Sequence, residues 1–326
     1  MTDKLAVVFG GSGFIGRYVV RELAKRGWRV RVAVRRPHQA QFLKPMGVVG
    51  QIQLTQSNVR EAASVARAVE DADAVVNLVG ILAPSGRQTF DAVQAGGAAT
   101  IATCAADAGV ERFVHVSAIG ADAASDSAYA RTKGEAEAAV RAAAPAAAIL
   151  RPSIVFGPED DFFNRFAAMA TTTPLTPLPL IGGGKSRFQP VYVDDVADAA
   201  CAALDRPQAG ARVFELGGPR VYTFRELMEL MLKEIGARRP LIPIPFAIAP
   251  LMGAVGELAG ALPFVEPPIT RDQIKLLKKD NVVGESGEAV GTLADLDIAP
   301  QTLESVLPRY LVRYRKYGQF AEDQAG

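Results

Sequence analysis

The sequence predicts an α/β protein in which a doubly wound parallel sheet is joined to a smaller, partly interleaved C-terminal domain. Three observations predict it. Through the first half of the chain, apolar runs of strand length alternate with segments of helical periodicity, the rhythm of a parallel sheet whose strands return through crossover helices. Four glycines stand within the nine residues "VFGGSGFIG", between the first apolar run and the first helical one. The chain has 326 residues, more than a single core usually serves.

Leu5–Phe9 reads as the first strand. Behind the glycines, Ile15, Val19 and Leu23 recur at helical spacing, and Gly27 stands where a C-cap belongs. "WRVRVAV" is the second strand and "QIQL" the third. Glu61 to Val69 is a helix, "AVVNLVG" the fourth strand, and Asp91 to Ala108 a long helix stopped at Gly109. "RFVHVS" is the fifth strand, and an Ala-rich helix then runs from about Tyr129 to Ala143 before Pro145. "AAIL" supplies the sixth, leading into "RPS".

From Gly157 to Gly184 the chain turns rich in Pro, Thr and Gly, with one apolar helix, "FFNRFAAMA", and leaves the sheet. "PVYV", the helix after Asp195 and the strand "RVFEL" read as a return to it. Beyond Gly217, Thr223 with Glu226 and Thr270 with Gln273 have capping-box spacing. The expected division is 1–156 with 188–217 for a nucleotide domain, and 157–187 with 218–326 for a substrate- or partner-binding domain.

Composition narrows the function classes. The chain carries 36 basic and 35 acidic residues, formally +1, which lacks the basic footprint of a nucleic-acid binder. Cys104 and Cys201 both fall in apolar helical segments, the pattern of buried thiols in a reducing compartment. "MTDKLAVVFGG" enters a strand by Leu5 and leaves no room for a signal peptide. The nearest approach to a membrane span, Phe246 to Leu262, is broken by Pro250 and Glu257. A cytoplasmic protein is expected, peripheral on the inner membrane if it has a partner there.

The glycine cluster contains both G-x-x-G-x-x-G (Gly10, Gly13, Gly16) and G-x-G-x-x-G (Gly11, Gly13, Gly16). After a strand and at the start of a helix, this spacing makes the dinucleotide turn of a Rossmann fold: a tight bend, a close approach to pyrophosphate, and close packing of helix on strand. An acidic residue at the end of the second strand would select NAD. This chain has Arg35 and Arg36 there, whose guanidinium groups suit a 2′-phosphate, so NADP(H) is expected. Tyr129 and Lys133 form Y-x-x-x-K on one helical face, twelve residues after Ser117. Lys133 could hold ribose hydroxyls and lower the phenol pKa, making Tyr129 a general acid.

At these residues the chain resembles the short-chain dehydrogenase/reductase superfamily in its extended or atypical form, through "GGSGFIG", "SNVRE", "VSAIGAD", "YARTK", "RPSIVFGP", "VYVDDVADA" and "DLDIAP". The stretches "GPEDDFFNRFAAMA", "PLPLIGGGKSRFQPVYVDDVADA" and "PPITRDQIKLL" narrow this. They resemble the nucleotide-binding accessory subunits of respiratory complex I, alpha-subcomplex subunit nine, in bacterial form. The resemblance implies NADPH held in a structural role. It places Gly10, Gly13, Phe14, Ile15 and Gly16 on the pyrophosphate and Arg35 and Arg36 on the 2′-phosphate. It places Asn58 and Val59 at the adenine, and Val79 and Gly80 at the ribose. Tyr129 and Lys133 fall at the nicotinamide ribose, and Pro152, Ser153 and Ile154 at the nicotinamide.

The catalytic set of Ser117, Tyr129 and Lys133 departs from that pattern. Gln94 stands where extended members carry Asn, and Ile119 where a later serine would relay a proton. Three functions stay open: an accessory or assembly subunit of complex I, a free-standing NADPH-dependent oxidoreductase or epimerase, and a nucleotide-sensing regulator. "IGGGKS" fails as a P-loop, since Pro179 stands at the first required glycine. His38 and His115 are read as structural or exposed, and Asp194 and Asp195 as helix-start residues. Arg309, Arg313, Arg315 and Lys316 are read as a solvated tail, as closing a substrate pocket in an enzyme, or as a basic face toward subunits or anionic headgroups in an accessory subunit.

Overall fold

The structure, a computed structural model, describes residues 4–172, 177–206, 210–249, 253, 270–316 and 318. They divide into two compact units. The first draws on Met1–Pro152, Val193–Leu216 and Gly287–Ala299, and the second on Ser153–Tyr192, Gly217–Ser286 and Pro300–Gly326. The sequence expectation put 287–299 in the second unit. Its main-chain bonds explain the difference: Gly291 N–H donates to Val213 O at 2.8 Å and Glu215 N–H to Gly291 O at 2.9 Å, so this segment lies along an edge strand.

The first unit is a seven-stranded sheet. Its strands are β1 (Leu5–Phe9), β2 (Arg29–Val34), β3 (Ile52–Gln56), β4 (Ala74–Asn77), β5 (Arg112–Val116), β6 (Ala148–Pro152) and one late in the chain, Val213–Leu216. The order across the sheet is Val213–Leu216, β6, β5, β4, β1, β2, β3, and every pair is parallel. Helices α1 (Phe14–Lys25), α2 (Ala62–Val69), α3 (Gly96–Asp107) and α4 (Ala128–Ala143) make crossovers. Every residue of β1 is buried, as expected of a strand covered on both faces, which is why it reads as an unbroken apolar run. On one face Val7, Phe9, Val75 and Phe113 pack with Val65 and Val69 of α2, Ile101 of α3 and Val140 of α4. The strand order reverses between β1 and β4, and loops after their carboxyl ends diverge there.

The expected helix from Asp91 to Ala108 is two pieces: one π turn, Asp91–Ala95, leads into α3. Cys201 is buried as expected. Cys104 is only half-buried, its Sγ 3.7 Å from Ala62 O, because it lies at the rim of the α3 core contact.

The second unit holds β7 (Val155–Phe156), α5 (Phe162–Thr172), β8 (Leu178–Ile181), β9 (Arg187–Phe188) and β10 (Val191–Tyr192). After α6 (Val193–Asp205) and β11 (Val213–Leu216) of the first unit come β12 (Tyr222–Thr223), α7 (Phe224–Glu234), β13 (Leu241–Ile244), α8 (Arg271–Leu276) and α9 (Leu303–Leu311). "PVYV" does not rejoin the large sheet: β10 pairs with β7, and Val191 N–H donates to Ile154 O at 2.9 Å. The helix after it does return, with Asp194 and Asp195 in the first turn of α6. Both capping boxes form, at Thr223 with Glu226 and at Thr270 with Gln273. "IGGGKS" leads into β9, and its three glycines all have positive φ.

The basic C-terminus is partly committed within its own unit. Arg313 Nη2 donates to Pro158 O at 3.0 Å and to Asn164 Oδ1, and Arg315 Nε donates to Glu234 O at 2.8 Å. Most of the apolar stretch Phe246 to Leu262 lies outside the described residues.

Candidate functional site

The glycine turn follows β1 at the point where strand order reverses. Gly10 has φ +79°, and a Cβ there would stand 3.0 Å from the Leu78 carbonyl carbon and oxygen. At Gly16 a Cβ would meet Gly10 O at 2.2 Å and Gly11 Cα at 2.6 Å, so the first turn of α1 can seat on the loop only with glycine at this position. Gly13 N–H donates to Gly10 O at 3.0 Å and Gly13 caps α1 without a side-chain bond. No acidic residue sits in the first turn of α1, where Phe14 and Ile15 lie. The positive end of the helix therefore faces outward with no carboxylate of its own turn competing, which fits a bound phosphate.

Arg35 and Arg36 are exposed directly beyond β2, and Arg35 Nη1 donates to Gln88 Oε1. Asn58, after β3, spends its side chain on its own turn: Oδ1 accepts from Arg60 N–H at 3.3 Å and Nδ2 donates to Glu61 at 2.6 Å. Val59 lies over α3, where a Cβ on Gly97 would come within 2.9 Å of it. Val79 N–H donates to Asn77 Oδ1 at 3.0 Å. A Cβ on Gly80 would stand 3.4 Å from Lys133 Nζ and 3.5 Å from Gln94 Oε1, so these two polar atoms flank one open point.

Helix α4 starts at Ser127, whose hydroxyl accepts from Ala130 N–H at 3.3 Å, and aligns Tyr129, Lys133 and Glu137 on one face. Lys133 is buried and its Nζ donates to Val116 O at 3.1 Å, one residue before Ser117. Gln94 Nε2 donates to Thr132 Oγ1 at 3.0 Å, while Gln94 Oε1 and Ser117 Oγ are buried without a protein partner. Buried polar atoms are almost always satisfied, so these two atoms fit a site completed by a bound group or water.

Burial dominates the protonation here. It lowers Lys133 to about 8, against the opposing charge of Glu137. It raises Tyr129, packed edge-on to Phe90 at 6.0 Å, to about 12. The expectation that Lys133 depresses the phenol is thus reversed, and Tyr129 is neutral at ordinary pH. His115 is lowered to about 3 by burial and by the Lys133 charge. Its Nδ1 lies 3.1 Å from Asn77 Nδ2; with Asn77 Oδ1 taken by Val79 N–H, the amide nitrogen donates to Nδ1 and Nε2 carries the proton.

The sequence-derived positions of the first unit, from Gly10 to Pro152, thus follow the carboxyl ends of β1 to β6, with Tyr129 and Lys133 on the helix beside them. Ser153 and Ile154 belong to the second unit, where Ser153 Oγ donates to Asn281 Oδ1 at 2.6 Å. Two neighbours receive no role from the sequence: Gln88, which no motif marks, and Arg60, which lies within "SNVRE", where the resemblance marks only Asn58 and Val59.

Residues 6–217 match the NAD dependent epimerase/dehydratase family. The chain belongs to that family. It is 36% identical over 321 residues to "NADH dehydrogenase [ubiquinone] 1 alpha subcomplex subunit 9, mitochondrial" of Arabidopsis thaliana, covering 96% of this chain and 79% of the relative. It is 32% identical over 248 residues to a ceramide reductase of Caulobacter vibrioides, covering 75% of each. Among solved structures, an NADPH-dependent quinone oxidoreductase of Escherichia coli in complex with NADPH superposes with a TM-score of 0.70 at 19% identity, over 94% of this chain and 98% of that one, a likeness of fold. The family is of the NAD(P)-binding class. Among the described residues, no helix is long and apolar enough to cross a membrane.

Proposed function

We propose that this chain is an accessory or assembly subunit of a complex I-type NADH:ubiquinone oxidoreductase that retains NADPH as a bound group. The observation that carries it is the 36% identity to subunit 9, which runs through 96% of the chain and so includes the C-terminal third beyond the family match. Gly10, Gly13, Phe14, Ile15 and Gly16 hold the pyrophosphate through the uncapped end of α1. Arg35 and Arg36 neutralise the 2′-phosphate, Asn58 and Val59 border the adenine, and Val79 and Gly80 the ribose. Lys133 and Tyr129 hold the nicotinamide ribose, and Pro152 closes that end. A reduced nicotinamide bound there supplies a hydride donor. One residue beside it favours retention: Ile119 gives no hydroxyl for a proton relay.

The test is direct. Protein purified from its own cells is expected to carry NADPH fluorescence that survives dialysis and is not oxidised by carbonyl or quinone substrates. A tagged chain is expected to retrieve NADH:quinone oxidoreductase activity from solubilised membranes. Apo protein that retrieves no such activity overturns the proposal.

A second reading is favoured by Ser117, Tyr129 and Lys133 gathered about β5 and α4, and by the similarity to a ceramide reductase. In it Tyr129 protonates a substrate carbonyl oxygen and Lys133 supplies the charge beside it. Substrate-dependent NADPH oxidation abolished by Tyr129→Phe would establish it.

A further inference from the structure

Two arginines from different strand ends grip neighbouring residues of a single turn. Beyond β4 the chain makes a tight reversal at 85–88, closed by Ser85 N–H to Gln88 O and Gln88 N–H to Ser85 O, both 3.0 Å, with Gly86 at φ +55°. Arg35, after β2, donates Nη1 to the Gln88 side chain. Arg60, after β3, donates Nη1 to the Arg87 carbonyl at 3.4 Å. In the sheet order β4, β1, β2, β3, this turn therefore reaches from the end of β4 across β1 to the ends of β2 and β3, roughly 14 Å at ordinary strand spacing. It spans the side of the crevice where strand order reverses and a dinucleotide's adenosine half belongs.

The chemistry of the contact matters. A guanidinium has five donors, and Gln88 engages only Nη1. The edge formed by Nε and Nη2, the edge that meets phosphate with two parallel bonds, is not used by Gln88. Gln88 is neutral, so it orients the arginine without cancelling its charge; an acid here would do the opposite. Arg60 holds the turn that carries Gln88, and its own backbone is fixed by Asn58 Oδ1. Glu61, the acid nearest in sequence, is engaged by Asn58 Nδ2 at 2.6 Å.

We propose that Gln88 is a specificity-determining residue of the coenzyme site: bonded to Arg35 through one nitrogen, it presents the free edge of that guanidinium to the 2′-phosphate, with Arg60 locking the turn. This rests on the NADP(H) reading of Arg35 given above. Ordering a long side chain before binding spares part of the entropy that binding would otherwise consume.

The experiment measures affinity of the full chain for NADPH and NADH by nicotinamide fluorescence, in wild type, Arg35→Ala, Gln88→Ala, Gln88→Glu and Arg60→Ala. Gln88→Ala is expected to weaken NADPH about three- to tenfold and leave NADH unchanged within about twofold. Gln88→Glu is expected to weaken NADPH by more than about tenfold, because its carboxylate neutralises Arg35. Arg60→Ala is expected to give a smaller NADPH-selective loss. If Arg35→Ala lowers NADPH affinity selectively while Gln88→Ala and Gln88→Glu do not, the inference falls and the 2′-phosphate reading stands. An equal loss for both coenzymes in Gln88→Ala marks a merely structural turn and also overturns it. Arg35→Ala without effect on the NADPH to NADH ratio sinks the parent reading as well.

Discussion

Arg151 of β6 lies fork to fork on Glu137 of α4, Nε to Oε1 at 2.9 Å and Nη2 to Oε2 at 2.7 Å, with 7% and 5% of the two side chains exposed. The pair stands one helical turn beyond Lys133 on the same face as Tyr129, so the charged ladder of α4 is terminated by a buried cation. Glu288 adds a third contact to Arg151 Nη1 at 2.8 Å, and the guanidinium pKa is raised well above its ordinary value by these carboxylates.

Breaking this pair should be costly because each partner leaves the other charged in a dry site. Arg151→Met is expected to destabilise the chain by about 3–5 kcal/mol, measured by urea unfolding. The double variant Arg151→Met with Glu137→Leu should recover only the part of that loss due to Glu137, because Glu215, fully buried and 3.8 Å from Arg151 Nη1, still loses its cation. Glu288, more than half exposed, should matter far less: Glu288→Gln is expected to cost under about 1 kcal/mol.

Much of the first unit was legible because its signals are local. The unbroken apolar run of β1 and the glycine spacing behind it each act within a few residues, as do the two capping boxes of the second unit. What was not legible depends on partners distant in sequence. Arg35 and Gln88 are 53 residues apart, and Arg151 and Glu288 are 137 apart. "PVYV" has strand composition but its pairing with β7 is tertiary. The direction of the Tyr129 shift was missed for the same reason: a neighbouring lysine can be read from Y-x-x-x-K, but the burial that outweighs it cannot.

Gly16 tests the turn itself. An alanine there would drive its Cβ into Gly10 O, an atom of the main chain that cannot move without opening the loop. Gly16→Ala is expected to cost about 1–3 kcal/mol of stability and to abolish dinucleotide binding. Gly50→Ala is the control for added bulk, because nothing lies within 4 Å of a Cβ there. Its own φ of +79° makes a modest loss of stability expected, with binding retained.

His115 should make the fold sensitive to acid. Its folded pKa of about 3 lies below the ordinary 6.5, so between these values the unfolded chain binds a proton that the folded chain refuses. Stability contributed by the neutral ring is complete above pH 6.5 and is lost as pH falls toward 3, at up to about 1.4 kcal/mol per pH unit. His115→Gln is expected to be less stable than wild type at pH 7, where Asn77 loses its ring partner, yet to show a shallower decline between pH 6.5 and 4. Parallel pH profiles of the urea midpoint for the two proteins would remove His115 as the cause.

Lys133 should make coenzyme affinity fall in mild alkali. Its amine, lowered to about 8 by burial, is protonated at neutral pH and loses its charge over a range where an exposed lysine would keep it. If the ammonium holds the nicotinamide ribose as proposed, binding favours the protonated form, and NADPH affinity is level between about pH 7 and 8, above the phosphate's second pKa of about 6, and declines above 8 by up to about tenfold per unit. The neighbouring groups do not mimic this. Tyr129 titrates near 12, and His115 near 3. Lys133→Met is expected to bind more weakly with little pH dependence in this range. As an internal control, 2′,5′-ADP lacks the nicotinamide half and should bind wild type equally at pH 7 and 9. A decline shared by 2′,5′-ADP would place the titrating group at the adenosine end and remove Lys133 from the assignment.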